Sequence, residues 1–363
     1  MSTKTDVEIN FELSCPAPLA AKDTILLGHG SGGKLSAELI RDIFLPAFQN
    51  PVLARLDDQA IVNVNGQRLA ITTDSFVVKP LFFPGGDIGS LAVHGTVNDL
   101  AMGGATPLFL SAAFIIEEGF SMDELRRVVN SLRQAAAEAG VQVVTGDTKV
   151  VEKGKGDGLF INTTGIGLVP DGVDLSADRA RPGDKVLLSG SIGDHGIAIL
   201  AQREWLEFET QIQSDSAALH TLVADMLGVT SNVTSKLTSD IRCMRDPTRG
   251  GVSSTLNEIA ERSRVGIELE ERSLPIHEQV RGACELLGLD PLYVANEGKL
   301  IAIVAPEGAD AVLQAMRRHP LGSEAQIIGT VKKENPGLVT MRTPFGTTRI
   351  VDMLAGDQLP RIC

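Results

Sequence analysis

The sequence has no Cys-x-x-Cys pair, few aromatic residues and no long apolar run. Its four cysteines, Cys15, Cys243, Cys284 and Cys363, lie far apart. That spacing signals no zinc or iron–sulfur framework, and the usage suits a reducing, cytoplasmic setting. Aromatics make up 4% of the chain, too few for a base-stacking platform. Basic residues are outnumbered, 33 against 46 acidic ones, and the net charge of −13 argues against a surface for nucleic-acid backbones. No apolar segment approaches membrane-spanning length, and the first residues lack the charged-then-apolar pattern of a signal peptide. The expectation is a cytoplasmic protein that binds neither nucleic acid nor membrane.

What is present is ample material for a core. The hydrophobic fraction is 43%, and 363 residues suggest two domains. Strand and helix signals alternate, which predicts an α/β (α+β) chain of two domains, each a mixed sheet covered by helices. Residues 1–22, with Pro16 and Pro18, read as a loose tail, 23–172 as a first domain, and 173–351 as a second α/β domain. The polar stretch 171–184, with Arg181-Pro182-Gly183, carries the boundary. Strands are expected at 69–74, 107–116, 141–147 and 159–169, that at 107–116 apolar enough to be buried on both faces. Ser121 and Glu124 cap a helix running to Ala139, where Gly140 stops it. In the second domain a strand at 185–190 leads into Gly193-Asp194-His195-Gly196 and a helix. Further helices are expected near 215–227, 251–264, 276–287 and 307–318, with strands at 266–270, 299–305 and 325–331.

Residues 352–363 read as a mobile tail, with Gly356 for freedom and Pro360 to block a helix just before Cys363. A thiol on such an arm is exposed and does not serve as core packing. Its simplest use is to carry a covalently attached group between sites; an incidental terminal residue is the plain alternative. Arg361 favours the thiolate and the adjoining carboxylate opposes it. The expected thiol is mostly protonated at neutral pH, with activation left to the site it visits.

Gly28-His29-Gly30-Ser31-Gly32-Gly33-Lys34 can bring backbone N–H groups against a phosphate, with Lys34 adding charge. It misses the P-loop pattern because Leu35 stands where a hydroxyl should meet magnesium. A phosphate-covering flap is the better reading, and a merely flexible loop the plain one. Acidic residues recur in short polar segments, several of them with glycines close by: Asp57-Asp58, Asp74, Asn98-Asp99, Asp147 and Asp246. Placed at strand ends, where open α/β folds hold ligands, several converging carboxylates would hold magnesium ions that bridge nucleotide phosphates. Singly, each would be a cap or turn residue.

Taken in order, GHGSGGK, the Asp57-Asp58 pair, TTDSF, VNDLAMGG, GDTK and RDPTRGG resemble the ATP-dependent superfamily of aminoimidazole ribonucleotide synthetase and selenophosphate synthetase. With VANEGK at 294–299 and the closing PRIC, the chain resembles the HypE family of hydrogenase maturation factors from Ile25 to Cys363. The resemblance implies a homodimer that uses ATP and Mg2+. A HypF-type carbamoyltransferase loads a carbamoyl group on the terminal cysteine, here Cys363. ATP-dependent dehydration turns the thiocarboxamide into a thiocyanate. The cyano group passes to iron on a HypC–HypD-type scaffold, for nickel–iron hydrogenase. Lys149 and Glu297 stand at the family's proton-removing positions; alternatively Lys149 is a phosphate-binding cation and Glu297 its partner or magnesium's. By the same resemblance Asp58, Asp74, Asp99, Asp147 and Asp246 are metal contacts. Gly30, Gly32, Gly33, Lys34, Asn98 and Thr248 hold the nucleotide.

His94 and His195 read as packed or surface histidines, while Cys15, Cys243, Cys284, Trp205 and Tyr293 receive no role. Three rivals fit less well. Selenophosphate synthetases need a cysteine or selenocysteine in the glycine loop, and Gly28–Lys34 has none. A thiamine-monophosphate kinase has no use for a cysteine on an arm. A non-catalytic adaptor docking by its end would not need the acidic positions.

Overall fold

The computed structural model describes residues 24–204, 212–228, 240–356 and 361–363. The expected N-terminal tail, Cys15, Trp205 and Pro360 lie outside them. The glycine loop turns at Leu27–Gly30 into α1 (Lys34–Leu39), a π-helical turn at Ile40–Phe44 and α2 (Leu45–Phe48). The first domain continues with β1 (Ala60–Val64), β2 (Gln67–Phe76), a small ribbon of β3 (Phe82–Phe83) and β4 (Gly86–Asp87), and α3 (Ile88–Met102). It ends with β5 (Thr106–Glu117), α4 (Met122–Glu138), β6 (Gln142–Val151) and β7 (Leu159–Leu168). These build a five-stranded sheet in the order β1-β2-β7-β5-β6, with β5 and β6 parallel and the other pairs antiparallel.

Local chemistry sets the helix starts. Asp87 Oδ1 accepts the Gly89 and Ser90 amides at 2.7 and 3.1 Å ahead of α3, and Ser121 Oγ accepts the Glu124 amide ahead of α4. α4 is amphipathic and buries Val128, Leu132, Ala135 and Ala136. α3 is apolar nearly all round because it is covered on all sides. Leu91 and Ala92 pack with Phe76 and Ile161, while Leu100 and Met102 join Leu222, Met226 and Leu300 of the second domain.

β7 alternates buried and less buried residues, so one face of this sheet lies on the helices and the other is open. The open face carries Ile71, Phe109, Ile115, Ile166 and Leu168, each more than a third exposed. β5 is therefore covered on one side, where its apolar run predicted two.

The second domain contains β8 (Lys185–Leu188), α5 (Asp194–Arg203), α6 (His220–Leu227), β9 (Ile241–Arg245), α7 (Gly251–Ser263) and β10 (Gly266–Glu270). Then come α8 (Glu278–Leu287), β11 (Ile301–Val304), α9 (Pro306–Arg318), β12 (Gln326–Lys332), β13 (Val339–Arg342) and β14 (Thr348–Ile350). The sheet order is β14-β13-β10-β12-β8-β11-β9, mixed because β10 and β13 run parallel. Here both faces are covered. Val186, Leu188, Ile301 and Ile303 meet Leu256 and Ile259 of α7, and Leu187, Ala302 and Val304 meet Val312 and Met316 of α9. Continuous apolar strands such as KVLL and IAIV are what two-sided burial demands. Cys243 and Cys284 are core residues of β9 and α8 whose thiols burial pushes up, Cys284 to about 11.

α6 begins at His220, later than the predicted 215. The residues before it are held in an extended path: the Ser214 amide donates to Pro84 O at 2.8 Å, and Asp215 turns toward Glu297. Strands β1, β9, β13 and β14 were not foreseen; they are short, and β1 and β14 lie at sheet edges.

Candidate active site

Five stretches of chain bring carboxylates together where the two domains meet. Asp58 precedes β1, Asp74 lies on β2, Asp99 on α3, Asp246 directly follows β9, and Glu297 sits in the loop before β11. Asp99 thus comes from a helix, and Asp74 from within a strand, where strand ends were expected. Burial, reinforced by the neighbouring carboxylates Asp246, Asp74 and Asp58, lifts Asp99 well above the usual carboxylate range. Burial does the same to Glu297, helped by Asp246, Asp74 and Asp215. Asp246 is raised to about 6 by burial, with Arg245 opposing and Asp74 adding. Asp58 is raised by burial against the pull of Arg245, whose Nε is 2.6 Å from its Oδ1.

Carboxylates that hold each other's protons form a site short of positive charge. Asp58 Oδ2, Asp246 Oδ2 and Glu297 Oε1 are buried and find no hydrogen-bond donor among the described residues. Nor do any three His, Cys, Asp or Glu side chains among those residues close around a single ion. The donor set therefore fits magnesium ions that take one or two carboxylates each and complete their shell with phosphate oxygens and water.

The glycine loop packs beside this cluster. Gly32, at φ +73°, lies so close to Arg249 that a Cβ would sit 2.5 Å from its carbonyl oxygen. A Cβ on Gly33 would meet Leu354 O at 2.2 Å, and that oxygen accepts the Lys34 amide at 2.8 Å. Arg249 Nη1 in turn donates to Gly30 O at 3.2 Å. The loop is thus clamped between the 246–251 turn and the 352–356 segment. Lys34 points its ammonium at Asp352, 2.6 Å away and exposed.

Cys363 is seated in the same place. Glu297 lies beside its side chain, and burial pushes the thiol well above its ordinary value, with Arg249 opposing and Glu297 and Asp74 adding. The exposed thiol of the sequence reading is thus a half-buried, protonated one. The chain just before it is held at several points. Val77 and Lys79 donate their amides to the carboxylate of Cys363 and the carbonyl of Arg361 at 3.1 and 3.2 Å. His195 Nε2 is 2.8 Å from Ile362 O. Arg361 pairs with Asp157, which also holds Lys79 at 2.7 Å. Ile362 is 3% exposed among Phe76, Val78, Phe83 and Leu159, a burial that stabilises the seated tail by about 2 kcal/mol.

Other expected site residues lie differently. The Asn98 side chain is committed to protein: its amide donates to Ala217 O and Glu297 O, and its oxygen accepts the Leu219 amide at 2.7 Å. It holds the Glu297 loop in place. The carbonyl of Thr248 accepts the Gly251 amide at 2.9 Å, which sets Thr248 in the turn that follows Asp246. Asp147 and Lys149 do not join the cluster. They pair with each other at 2.6 Å on exposed β6. Register places Asp74 level with Gly146, so Asp147 and Lys149 point from the opposite, open face. Three strand spacings separate them from Asp74, about 14 Å. His94 is packed as expected, 2.9 Å from Ser216 Oγ and lowered to about 4 by burial.

Sequence reasoning missed Arg245, Arg249, Asp215, Asp157 and the tail contact of His195. Both arginines stand inside RDPTRGG, where only the aspartate and threonine drew attention. Asp157 lies in an unremarkable polar turn with no motif to mark it.

The N- and C-terminal domain models of AIR synthase related proteins match residues 56–169 and 181–341. A relative from Rhizobium leguminosarum bv. viciae, carbamoyl dehydratase HypE, is 59% identical over 343 residues, which is 94% of this chain and 96% of that one. The chain belongs to the HypE family. Among solved structures, HypE in a HypE–HypF complex matches with a TM-score of 0.81 at 50% identity, over 87% of this chain and 99% of that one. HypE in complex with ATP matches with a TM-score of 0.77 at 52% identity, over 94% and 100%. Both agree with the two mixed-sheet domains described above.

Proposed function

We propose that this ATP-dependent carbamoyl dehydratase of hydrogenase maturation carries its substrate on its own Cys363. The observation that carries this reading is the seated tail, which sets the thiol against Glu297 and Arg249 inside the carboxylate cluster. A HypF-type partner loads the carbamoyl group, as expected from the HypE–HypF complex of its relatives. The thiocarboxamide oxygen attacks the γ-phosphorus of ATP, ADP leaves, and the oxygen becomes part of a phosphate that can depart. As that C–O bond breaks, both amide protons come off nitrogen and the C≡N bond forms. Phosphate formation replaces loss of hydroxide, which would be prohibitive.

Glu297 is the proton acceptor nearest the thiol. A carboxylate whose burial and neighbours raise its pKa is a stronger base when ionised, suited to work near neutral pH. Arg249, between Asp74, Gly30 and the thiol, balances negative charge as the phosphoryl group moves. Magnesium ions held by Asp58, Asp74, Asp99 and Asp246 would neutralise the triphosphate. Gly32 and Gly33 lie with their loop over the phosphates, and Thr248 turns its hydroxyl to them.

Asp147 and Lys149 act in the assembled homodimer. A second copy covers the open sheet face, removes Ile71, Phe109 and Ile166 from water, and gives these two residues a site to serve. The product goes to a scaffold complex of the HypC–HypD type, in the cytoplasm.

Mass spectrometry of the C-terminal peptide tests the reading. With the HypF-type partner and carbamoyl donor, Cys363 gains a carbamoyl group; with MgATP it then loses one water. If an active donor system leaves Cys363 unmodified while ATP is consumed, the carrier assignment is wrong.

A further inference from the structure

His195 is fully buried at the first turn of α5, edge-on to Phe83 with ring centroids 5.6 Å apart. Burial lowers its pKa below the ordinary histidine value, so the ring is neutral and carries one N–H. Its two nitrogens have different neighbours. Nδ1 lies 2.8 Å from Ser214 Oγ, a hydroxyl able to donate. Nε2 lies 2.8 Å from Ile362 O, a carbonyl able only to accept. The proton therefore sits on Nε2. Ser214 fixes this tautomer, and is itself fixed: its Oγ accepts the Ser216 amide at 3.1 Å and its own amide donates to Pro84 O at 2.8 Å.

We propose that His195 is the positioning residue of the tail, its Nε2–H latching the Ile362 carbonyl so that Cys363 arrives in register with Glu297. Ile362 O faces the ring because the oxygens on either side, of the Arg361 carbonyl and the Cys363 carboxylate, are taken by the amides of Lys79 and Val77. The three bonds together hold the main-chain oxygens of three consecutive residues. A slip of one residue breaks all three and carries the sulfur away from Glu297. The apolar seat of Ile362 gives the tail affinity without fixing its register along the cleft, and the latch supplies that register. The Asp194 to Gly196 turn brings His195 here, since the Gly196 amide donates to Ala295 O at 3.1 Å, two residues before Glu297. Tail latch and base are thus braced on the same short stretch of chain.

The proposal rests on Cys363 carrying the substrate, and two readouts separate the ideas. Labelling of Cys363 by iodoacetamide reports seating without any carbamoyl chemistry. Single-turnover dehydration of the pre-carbamoylated chain reports register. In His195→Leu, labelling quickens and dehydration slows, each about tenfold, the value of one buried donor lost. His195→Gln, which keeps an N–H, stays within about threefold of wild type. Carbamoyl loading by the partner, which needs the tail outside, does not slow. A His195→Leu chain with wild-type labelling and dehydration overturns the latch. So does a His195→Leu loss of melting temperature that persists equally in a chain truncated after Gly356, because the ring then acts as core and not through the tail. A wild-type chain that never carbamoylates Cys363 overturns the carrier reading, while labelling still decides the latch.

Discussion

The chain presents two acidic sites that look alike in sequence and differ in every physical respect. At the domain junction, Asp58, Asp74, Asp99, Asp246 and Glu297 are withdrawn from water, repel one another and hold their protons above the usual range. On the open face, Asp147 is exposed, held below the ordinary carboxylate range by its bond from Lys149 and by the Thr148 amide. The first arrangement is costly alone and becomes favourable when cations and phosphates enter. The second is stable as it stands and gains from a surface that covers it. The same residue type thus marks a site short of positive charge in one place and an exposed, already paired carboxylate in the other. The comparison can be broken at either end.

The largest effect lies at the thiol. Cys363→Ser leaves no sulfur to accept a carbamoyl group, so the peptide acquires no label and no thiocyanate forms. A Ser variant that still yields cyanide ligands would remove the tail from the chemistry. Next is the base. Glu297→Gln should load normally yet dehydrate about 10²–10⁴-fold more slowly. Its pH profile sharpens the point. The carboxyl must be ionised to accept a proton, and its raised pKa keeps it protonated above the ordinary range. Wild-type dehydration therefore rises with pH along a limb displaced upward from 4.5, and that limb vanishes in the variant. A limb that survives in Glu297→Gln belongs to another group.

The strands and helices were legible where periodicity was strong. α4 announced itself through Ser121, its apolar stripe and Gly140, and β10 and β12 through short apolar runs. The face of a strand was not legible in the same way. PLFLSAAFII on β5 has the composition of a doubly covered strand, yet Phe109 and Ile115 lie half exposed on the open face of the sheet. The site was legible as a set of motifs, since its acids fall in short segments such as TTDSF, VNDLAMGG and RDPTRGG that recur in a recognisable order. Its geometry was not. Whether Asp147 faces the cluster depends on one residue of register against Asp74, and sequence alone does not set the pairing across four strands. His195 was hidden for another reason: its role depends on a carbonyl, and a backbone carbonyl leaves no mark in sequence.

Lys149 tests the open face directly. Lys149→Ala and Cys363→Ala chains are each expected to be inactive as homodimers. Mixed, they should recover activity in those dimers where a chain with intact Lys149 serves a partner with intact Cys363. Recovery approaching half of the heterodimer's two sites supports service across the interface. No recovery, with heterodimers confirmed by native mass spectrometry, confines Lys149 to its own subunit.

The smallest effect is on stability, and its sign is fixed by Asp246. The folded carboxyl keeps its proton up to about pH 6, while an ordinary one releases it near 3.8. Its contribution to stability is therefore full below 3.8 and is lost as pH rises through about 6. Asp246→Asn cannot ionise and escapes that loss. Relative to wild type, the variant should gain about 2 kcal/mol between pH 4 and 7.5. Thermal melts at the two pH values measure it. MgATP reverses the ranking at pH 7.5, because the wild-type carboxylate then meets cations that the amide binds more weakly, and ligand binding adds to the stability of the chain that binds it better. A stability difference that is flat with pH would mean that Asp246 is not held protonated, and that the crowding of carboxylates at the junction is relieved from within the chain.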